Sequence, residues 1–196
     1  MINSKKDYKY YLQADKIANR YTDKRFPVIW FDEIWIFLKL LRKTEYLKNC
    51  KKGFIGKLRY SFYRILLERK SIQIGFSIPL NVFGPGLSIS HRGTIVVNSN
   101  AKIGRNCRVS TGVTIGDRTV IGDNVFIAPG VICFGGVSIA DNIAIGANSV
   151  VNKSFLTPNV TIAGSPANIV NSNRGATDQV VVYATEILDS QLKSNF

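Results

Sequence analysis

The chain has 196 residues, of which 45% are apolar, and a formal charge of +13 at pH 7. That apolar share can bury a core and argues against a disordered chain, and the length suits one domain with an appendage. Three cysteines, Cys50, Cys107 and Cys133, stand far apart with no CxxC pair; this argues against a disulfide framework and a zinc site and points to a reducing, cytoplasmic compartment without a bound metal.

The charge is uneven. Residues 1–70 hold eighteen Lys and Arg against seven Asp and Glu, residues 71–170 six against three, and residues 171–196 two against three. Any nucleic-acid role would have to sit in the first third, and no recognised motif accompanies the charge there, so no nucleic-acid partner is expected. The N-terminus, Met-Ile-Asn-Ser-Lys-Lys-Asp, has no apolar core of a signal peptide. The most apolar run, Phe26 to Leu41, carries Asp32, Glu33 and Lys39 and is too short and too charged to span a bilayer.

Residues 1–74 read as a basic α-helical region. Trp30, Ile34, Phe37, Leu38 and Leu41 recur at helical spacing, as do Phe54, Leu58, Phe62, Ile65 and Leu66. Helices are predicted to end near Lys43 and Lys70. Aromatics (Trp30, Trp35, Phe54, Tyr60, Phe62, Tyr63) alternate with Lys39, Arg42, Lys43, Lys57, Arg59 and Arg64. Two readings stand: basic amphipathic helices lying peripherally on the inner face of an anionic membrane, or helices packed on one another with a solvated basic face.

From about residue 75 the pattern changes. Every sixth residue from Val97 (Val97, Ile103, Val109, Ile115, Ile121, Ile127, Cys133, Ile139, Ile145, Val151) is apolar. Chance would give that run roughly 3 times in 10,000 for one register. A second column lies two residues earlier and is small or β-branched: Ile95, Ala101, Cys107, Val113, Thr119, Val125, Val131, Val137, Ile143, Ser149. A period of six fits neither a helix nor a plain alternating strand. It fits a triangular coil of three six-residue sides, with column residues pointing to the axis and stacking from coil to coil. A β-sandwich would need loops of varying length, whereas this register runs from 97 to 151 without an insertion. The fold class is therefore mainly β: a parallel β-helix of hexapeptide repeats over residues 75–170, after the N-terminal α-helical region. In the tail, 171–196, Val180 to Leu192 reads as a strand leading to a short helix, which either caps the solenoid or reaches a neighbouring subunit.

Three stretches carry a family resemblance. Gly146-Ala147-Asn148-Ser149-Val150-Val151-Asn152-Lys153, then Ala163-Gly164-Ser165-Pro166-Ala167, resembles the closing motif of hexapeptide-repeat acetyltransferases, whose helix is left-handed. His91-Arg92-Gly93-Thr94-Ile95-Val96-Val97 resembles a stretch of serine acetyltransferases and polysaccharide O-acetyltransferases. The resemblance covers about residues 75–170. It implies a homotrimer with sites between subunits, acetyl-CoA as co-substrate in a groove along the helix, and His91 as general base for an acceptor hydroxyl. By the same alignment Pro129, Gly135 and Ala147 would line the groove, and Asn152 and Lys153 would close it, Lys153 as a point charge for a phosphate. The alternative for Gly135, Ala147 and Lys153 is plain corner and surface duty.

His91 is the only histidine. It lies six residues before Val97, so a regular coil turns it to the axis; Pro85, Gly86 and Gly93 flank it and can break that coil. Serine acetyltransferases carry an Asp before this histidine, where Ser90 stands here. They also carry a second histidine and an arginine on an inserted loop, where Thr114-Ile115-Gly116-Asp117-Arg118-Thr119 runs straight on. No acidic partner near His91 is legible. Free L-serine needs partners for an ammonium and a carboxylate when it is desolvated; a sugar hydroxyl does not. The expected activity is thus acetyl transfer to a hydroxyl on a sugar of a surface or exported polysaccharide. The alternatives are L-serine as acceptor and a non-catalytic trimeric scaffold.

Overall fold

The computed structural model describes residues 1–21, 31–176 and 181–193. Helix α1 (Lys5–Ala18) begins where Ser4 Oγ accepts the Asp7 amide at 3.0 Å. Helix α2 (Glu33–Cys50) begins where the Asp32 carboxylate accepts the Trp35 amide at 3.0 Å. Both caps satisfy amides that a first turn leaves unpaired, and a carboxylate there also faces the positive end of the helix dipole. Helix α3 (Gly53–Ile74) stops at Gly75, whose φ of +82° suits a residue without Cβ. The observed ends, Cys50 and Ile74, fall beyond the predicted Lys43 and Lys70. Packing explains the first: Tyr46 and Leu47 are buried against Ile2 and Tyr11, which holds the last turns of α2 in place. Phe37, Leu38 and Leu41 are buried as the helical spacing predicts and Ile34 is partly buried, whereas Phe54, Leu58, Phe62 and Ile65 of the second set are exposed; Trp30 lies outside the described residues.

Residues 76–171 form the predicted solenoid, with three sheets as the faces of a prism. The first face stacks β1 (Phe76–Ser77), β3 (Ile95–Val97), β6 (Val113–Ile115), β9 (Ile132–Cys133) and β12 (Val150–Val151). The second stacks β4 (Lys102–Ile103), β7 (Val120–Ile121) and β10 (Ser138–Ile139). The third stacks β2 (Ser88–Ile89), β5 (Arg108–Val109), β8 (Phe126–Ile127) and β11 (Ala144–Ile145), then β13 (Thr161–Gly164) and β14 (Ala167–Asn171). Every pairing is parallel except β13–β14, an antiparallel hairpin that ends the stack. Partners such as Ile95 and Val113, or Ile103 and Ile121, are eighteen residues apart, one full coil. All ten residues of the axial column and all ten of the second column are buried. Each fully buried Val or Ile contributes roughly 1.5–3 kcal/mol. Buried Thr119 and Ser149 satisfy their hydroxyls on the Phe134 and Gly146 carbonyls. One corner repeats Asn106, Asn124 and Asn142 with φ of 52°, 58° and 56°, a left-handed conformation that asparagine tolerates better than most side chains.

The helices are clamped to the first coil by one buried network. Arg42 Nε donates to Asp15 at 2.7 Å, Nη1 to Glu45 and to the Phe83 carbonyl at 3.0 Å, and Nη2 to the Gly84 carbonyl at 2.7 Å. Asp15 also accepts the Gly86 and Leu87 amides at 2.9 Å. Although burial opposes its charge, the Asp15 and Glu45 carboxylates raise the Arg42 pKa above its usual value. Within the chain the tail turns back on the helices and does not cap the open end of the solenoid. Helix α4 (Ala184–Lys193) runs back to α1, where Tyr10 donates to Asp189 at 2.8 Å, and to the asparagine corner, where the Thr185 amide donates to Asn106 Oδ1 at 3.1 Å. Val180, the predicted start of a strand, lies outside the described residues.

Candidate active site

His91 does not point to the axis. Ile89 pairs with Val109 and Phe83 with Ile103, twenty residues apart instead of eighteen. Two extra residues are therefore held in the corner Ser90–Thr94, which joins β2 to β3. Ile89 takes the axial place, 3% exposed, and His91 is turned outward to solvent. Of the breaking residues named from sequence, Gly93 acts here; Pro85 and Gly86 are buried beside the Asp15 clamp on another corner. Gly93 has φ +130°, and a Cβ on it would collide with Thr111 Oγ1. Its amide donates to the Ile74 carbonyl at 3.0 Å, while the Thr94 carbonyl accepts the Gly112 amide at 2.6 Å. The extra residues are thus pinned on both sides, and the imidazole stands on a fixed loop.

Two clefts meet at His91. One, of about 280 Å³, is lined by Asn19, Arg20, Tyr21, Asp32, His91 and Arg108, among others. The second, of about 300 Å³, runs past Asp32, Glu33, Ser90, His91 and Arg92. The N-terminal helices build the opposite wall. Asn19, just past α1, accepts the Ile89 amide at 3.0 Å and donates to the Leu87 carbonyl at 2.8 Å. Tyr21 donates to Asp32 Oδ1 at 2.8 Å; burial and that carboxylate push the phenol pKa far up, so it stays a donor. Arg108, one coil above Ser88, donates from Nε to Ser90 Oγ at 3.0 Å. Its pKa is lowered, first by burial and then by the Arg20 charge.

Carboxylates that the sequence did not place near His91 line its clefts from a distance. Asp32 lines both clefts and Glu33 the second, from a helix start nearly sixty residues upstream. The visible signal was only that of a helix cap: Asp before the apolar-periodic run Ile34–Leu41. Asn19, Arg20, Tyr21 and Arg108 carried no signal of this role.

The five groove residues do not come together within the chain. Pro129 and Ala147 are exposed on the same prism edge as His91, stacked by the amide of Gly130 on the Thr111 carbonyl and that of Asn148 on the Pro129 carbonyl. Gly135, Asn152 and Lys153 are exposed on the next edge, across the face of β3, β6, β9 and β12. There Gly135 is needed for close approach, because a Cβ would lie 2.8 Å from the Asp117 carbonyl oxygen. Lys153 Nζ donates to Asn168 Oδ1 at 2.8 Å. Asp117 and Arg118 form a short turn with no loop between β6 and β7. Among the described residues no group of His, Cys, Asp and Glu could hold a metal ion, and no helix is long and apolar enough to cross a membrane.

Residues 100–135 match the bacterial transferase hexapeptide (six repeats) family. No curated protein matches the chain. Among solved structures the chain is similar to a serine acetyltransferase from Brucella abortus strain S19, at 26% identity over 88% of this chain and 72% of that one, with TM-score 0.65. It is similar to a serine O-acetyltransferase from Brucella melitensis, at 25% identity over 86% and 69%, with TM-score 0.68. A serine acetyltransferase in complex with CoA shares the fold at 24% identity over 85% and 71%, with TM-score 0.64. The solenoid is accordingly a left-handed parallel β-helix of hexapeptide repeats carrying an N-terminal helical region.

Proposed function

We propose that this chain is an acetyl-CoA-dependent O-acetyltransferase in which His91 is the general base. The observation that carries the reading is the outward turn of His91 by two inserted residues, at the meeting of two clefts, on a fold shared with serine acetyltransferases, one of them in complex with CoA. The acceptor hydroxyl oxygen attacks the thioester carbonyl carbon as the imidazole takes its proton. The tetrahedral intermediate then collapses, the C–S bond breaks, and the imidazolium returns the proton to the departing CoA sulfur. Asp32 is the carboxylate available on the far side of the cleft to orient the ring.

Acetyl-CoA would lie along the His91 edge past Pro129 and Ala147. Gly135, Asn152 and Lys153 can join it only from another copy, since a sheet face separates the two edges within one chain. Edge-to-edge contact of this kind is head-to-tail and gives a ring where the rotation closes, in keeping with a homotrimer. Light scattering at three times the chain mass is the expected result, and a monomer that turns over at full rate would remove Gly135, Asn152 and Lys153 from the site.

The acceptor favoured here is a sugar hydroxyl of a surface or exported polysaccharide, because the β6–β7 turn, on the Gly135 edge that would meet the cleft from another copy, carries no loop to close over it. L-serine is the second reading. It is favoured by the serine acetyltransferase neighbours and by Asp32, which supplies the acidic partner an ammonium requires. Outside the cleft, Phe54, Ile55, Leu58 and Phe62 on α3 are exposed beside Lys57 and Arg59, which supports peripheral contact with an anionic membrane. Cosedimentation with anionic but not neutral vesicles is its test. The test of the activity is thiol release from acetyl-CoA with glycans or L-serine, by wild type and His91→Ala. Acceptor-dependent release falling by about a hundredfold in the variant is expected. Equal rates in the two proteins would remove His91 as the base.

A further inference from the structure

We infer that the acceptor is a lipid-borne glycan taken at the surface of an anionic bilayer, on which α3 lies with the His91 clefts opening beside it. The inference rests on, and narrows, the reading of those clefts as the acceptor site. Helix α3 carries apolar side chains on two faces. One packs inward, through Leu67 and Ile74 in the main core and Tyr60 and Tyr63 against the cluster around Ile2. The other presents Phe54, Ile55, Leu58, Phe62, Ile65 and Ile72, each between 54% and 82% exposed. From Leu58 onward their spacings of four, three and seven residues set them in one line along the helix. Single exposed apolar residues are ordinary, but a line of this kind running about 27 Å is a contact surface.

Charge decides what covers it. Residues 51–74 hold seven Lys and Arg against one acidic residue, Glu68. A second copy joined through the same face would set this positive charge against itself. An anionic bilayer takes up the apolar line and attracts the cations beside it.

The same helix ends on the corner that carries His91. The Ile74 carbonyl accepts the Gly93 amide at 3.0 Å, and the Gly75 carbonyl accepts the Ile95 amide at 3.1 Å. The two segments run so close that a Cβ on Gly75 would lie 3.1 Å from the Gly93 carbonyl. Ile72, the last residue of the exposed line, is therefore within a helical turn of the backbone bond that pins this corner. Lys70 Nζ donates to Glu33 at 2.5 Å and ties the same end of α3 to the wall of the second cleft. The rim of that cleft repeats the chemistry of the helix, with Phe31 78% exposed and Arg92 exposed. A glycan anchored by its lipid in the bilayer under α3 presents its sugar at this rim. A freely diffusing acceptor makes no use of the arrangement.

The experiment measures acetyl transfer to hexadecyl glucoside, galactoside and mannoside held in phosphatidylglycerol vesicles. The methyl glycosides, and separately L-serine, are supplied in solution beside the same vesicles. The proteins are wild type and Leu58→Ser/Phe62→Ser, whose altered side chains are exposed and leave the core untouched. The expected result is kcat/KM at least tenfold higher for one hexadecyl glycoside than for its methyl counterpart. That ratio should fall to about one in phosphatidylcholine vesicles and in the double variant. Equal use of the two forms, a ratio that survives the double variant, or turnover of L-serine alone overturns the inference and leaves the acetyltransferase reading intact. If nothing is acetylated, the orientation of the bound protein decides the inference separately. Fluorophores on Arg92→Cys and Leu156→Cys, each in a Cys50→Ser background, are read against brominated lipid in the anionic vesicles. Quenching at 92, beside the cleft, and not at 156, on the last coil, supports the placement; equal quenching or none overturns it. Light scattering in which the double variant halves the particle mass would make the line a contact between copies and overturn it as well.

Discussion

Replacing Asp15 with alanine probes the clamp that sets the helical wall of the cleft against the first coil. Asp15 is fully buried and accepts Arg42 Nε at 2.7 Å, Arg42 Nη2 at 3.3 Å and the Gly86 and Leu87 amides at 2.9 Å. Alanine leaves Arg42 with Glu45 and the Phe83 and Gly84 carbonyls and strands two buried amides. Breaking a buried ion pair from one side costs about 3–5 kcal/mol, and a stranded buried donor about 1–3 kcal/mol. These terms share the same atoms and overlap, so the expected loss is about 4 kcal/mol. With a urea m-value of about 2 kcal/mol/M, the midpoint falls by about 2 M. The sharper arm is Asp15→Leu combined with Arg42→Met. Hydrophobic replacement of an isolated buried pair is often neutral or stabilising. Here it would also unpair the carbonyls of Phe83 and Gly84 and the amides of Gly86 and Leu87, and leave the buried Glu45 without its cation. The double variant should therefore remain about 3 kcal/mol or more below wild type. Urea unfolding followed by far-ultraviolet circular dichroism measures both. A double variant with the wild-type midpoint and slope would refute the view that the clamp acts through the main chain of the first coil.

Three further outcomes are expected. His91→Ala should leave stability within about 0.5 kcal/mol of wild type, because the ring is exposed, even as acetyl transfer collapses; urea titration beside the kinetic assay checks the split. Gly93→Ala should destabilise by about 1–3 kcal/mol and cut turnover, since φ of +130° is strained for alanine and its Cβ meets Thr111; a variant with wild-type midpoint and rate would mean the corner is not held as described. Burial pushes the Cys133 thiol up to about 12 and raises Cys107 as well, so a colorimetric thiol reagent at pH 8 should leave both unreacted in the folded protein and titrate all three cysteines in denaturant. Rapid reaction of more than one thiol in the native state would contradict the packing of the axis.

The coils were legible because each coil repeats one local rule. Val97 to Val151 announce their burial by spacing alone, and the structure places each at the axis. Before Ile95 the same rule misled: six residues back from Val97 lies His91, yet the axial residue is Ile89. A signal was present in the paired apolar positions Leu87 and Ile89, which precede Ile95 and Val97 by eight, not six, residues. The wall opposite His91 was not legible. Asn19, Tyr21 and Asp32 reach the cleft only because Asp15 and Arg42 dock α1 and α2 on the first coil, a contact spanning about seventy residues that no local pattern encodes. Within one chain Gly135 falls on a different edge from Pro129 and Ala147 for a related reason. Motif similarity orders residues along the chain, whereas the prism sends successive corners to different edges.

The two extra residues at the His91 corner act on the solenoid as a phase slip acts on any periodic structure. An insertion of eighteen residues would add a coil and shift nothing; one of two residues shifts the phase of the sequence columns before it, so that Ile89 and not His91 lies at the axis, while the strands keep their pairing because the extra residues stay in the corner. Here only β1, β2 and the Phe83 bridge lie upstream, and helices follow beyond them, with no period of six to keep. The terminal coil is thus where a solenoid can turn one side chain into a reagent while the remaining coils stay in step.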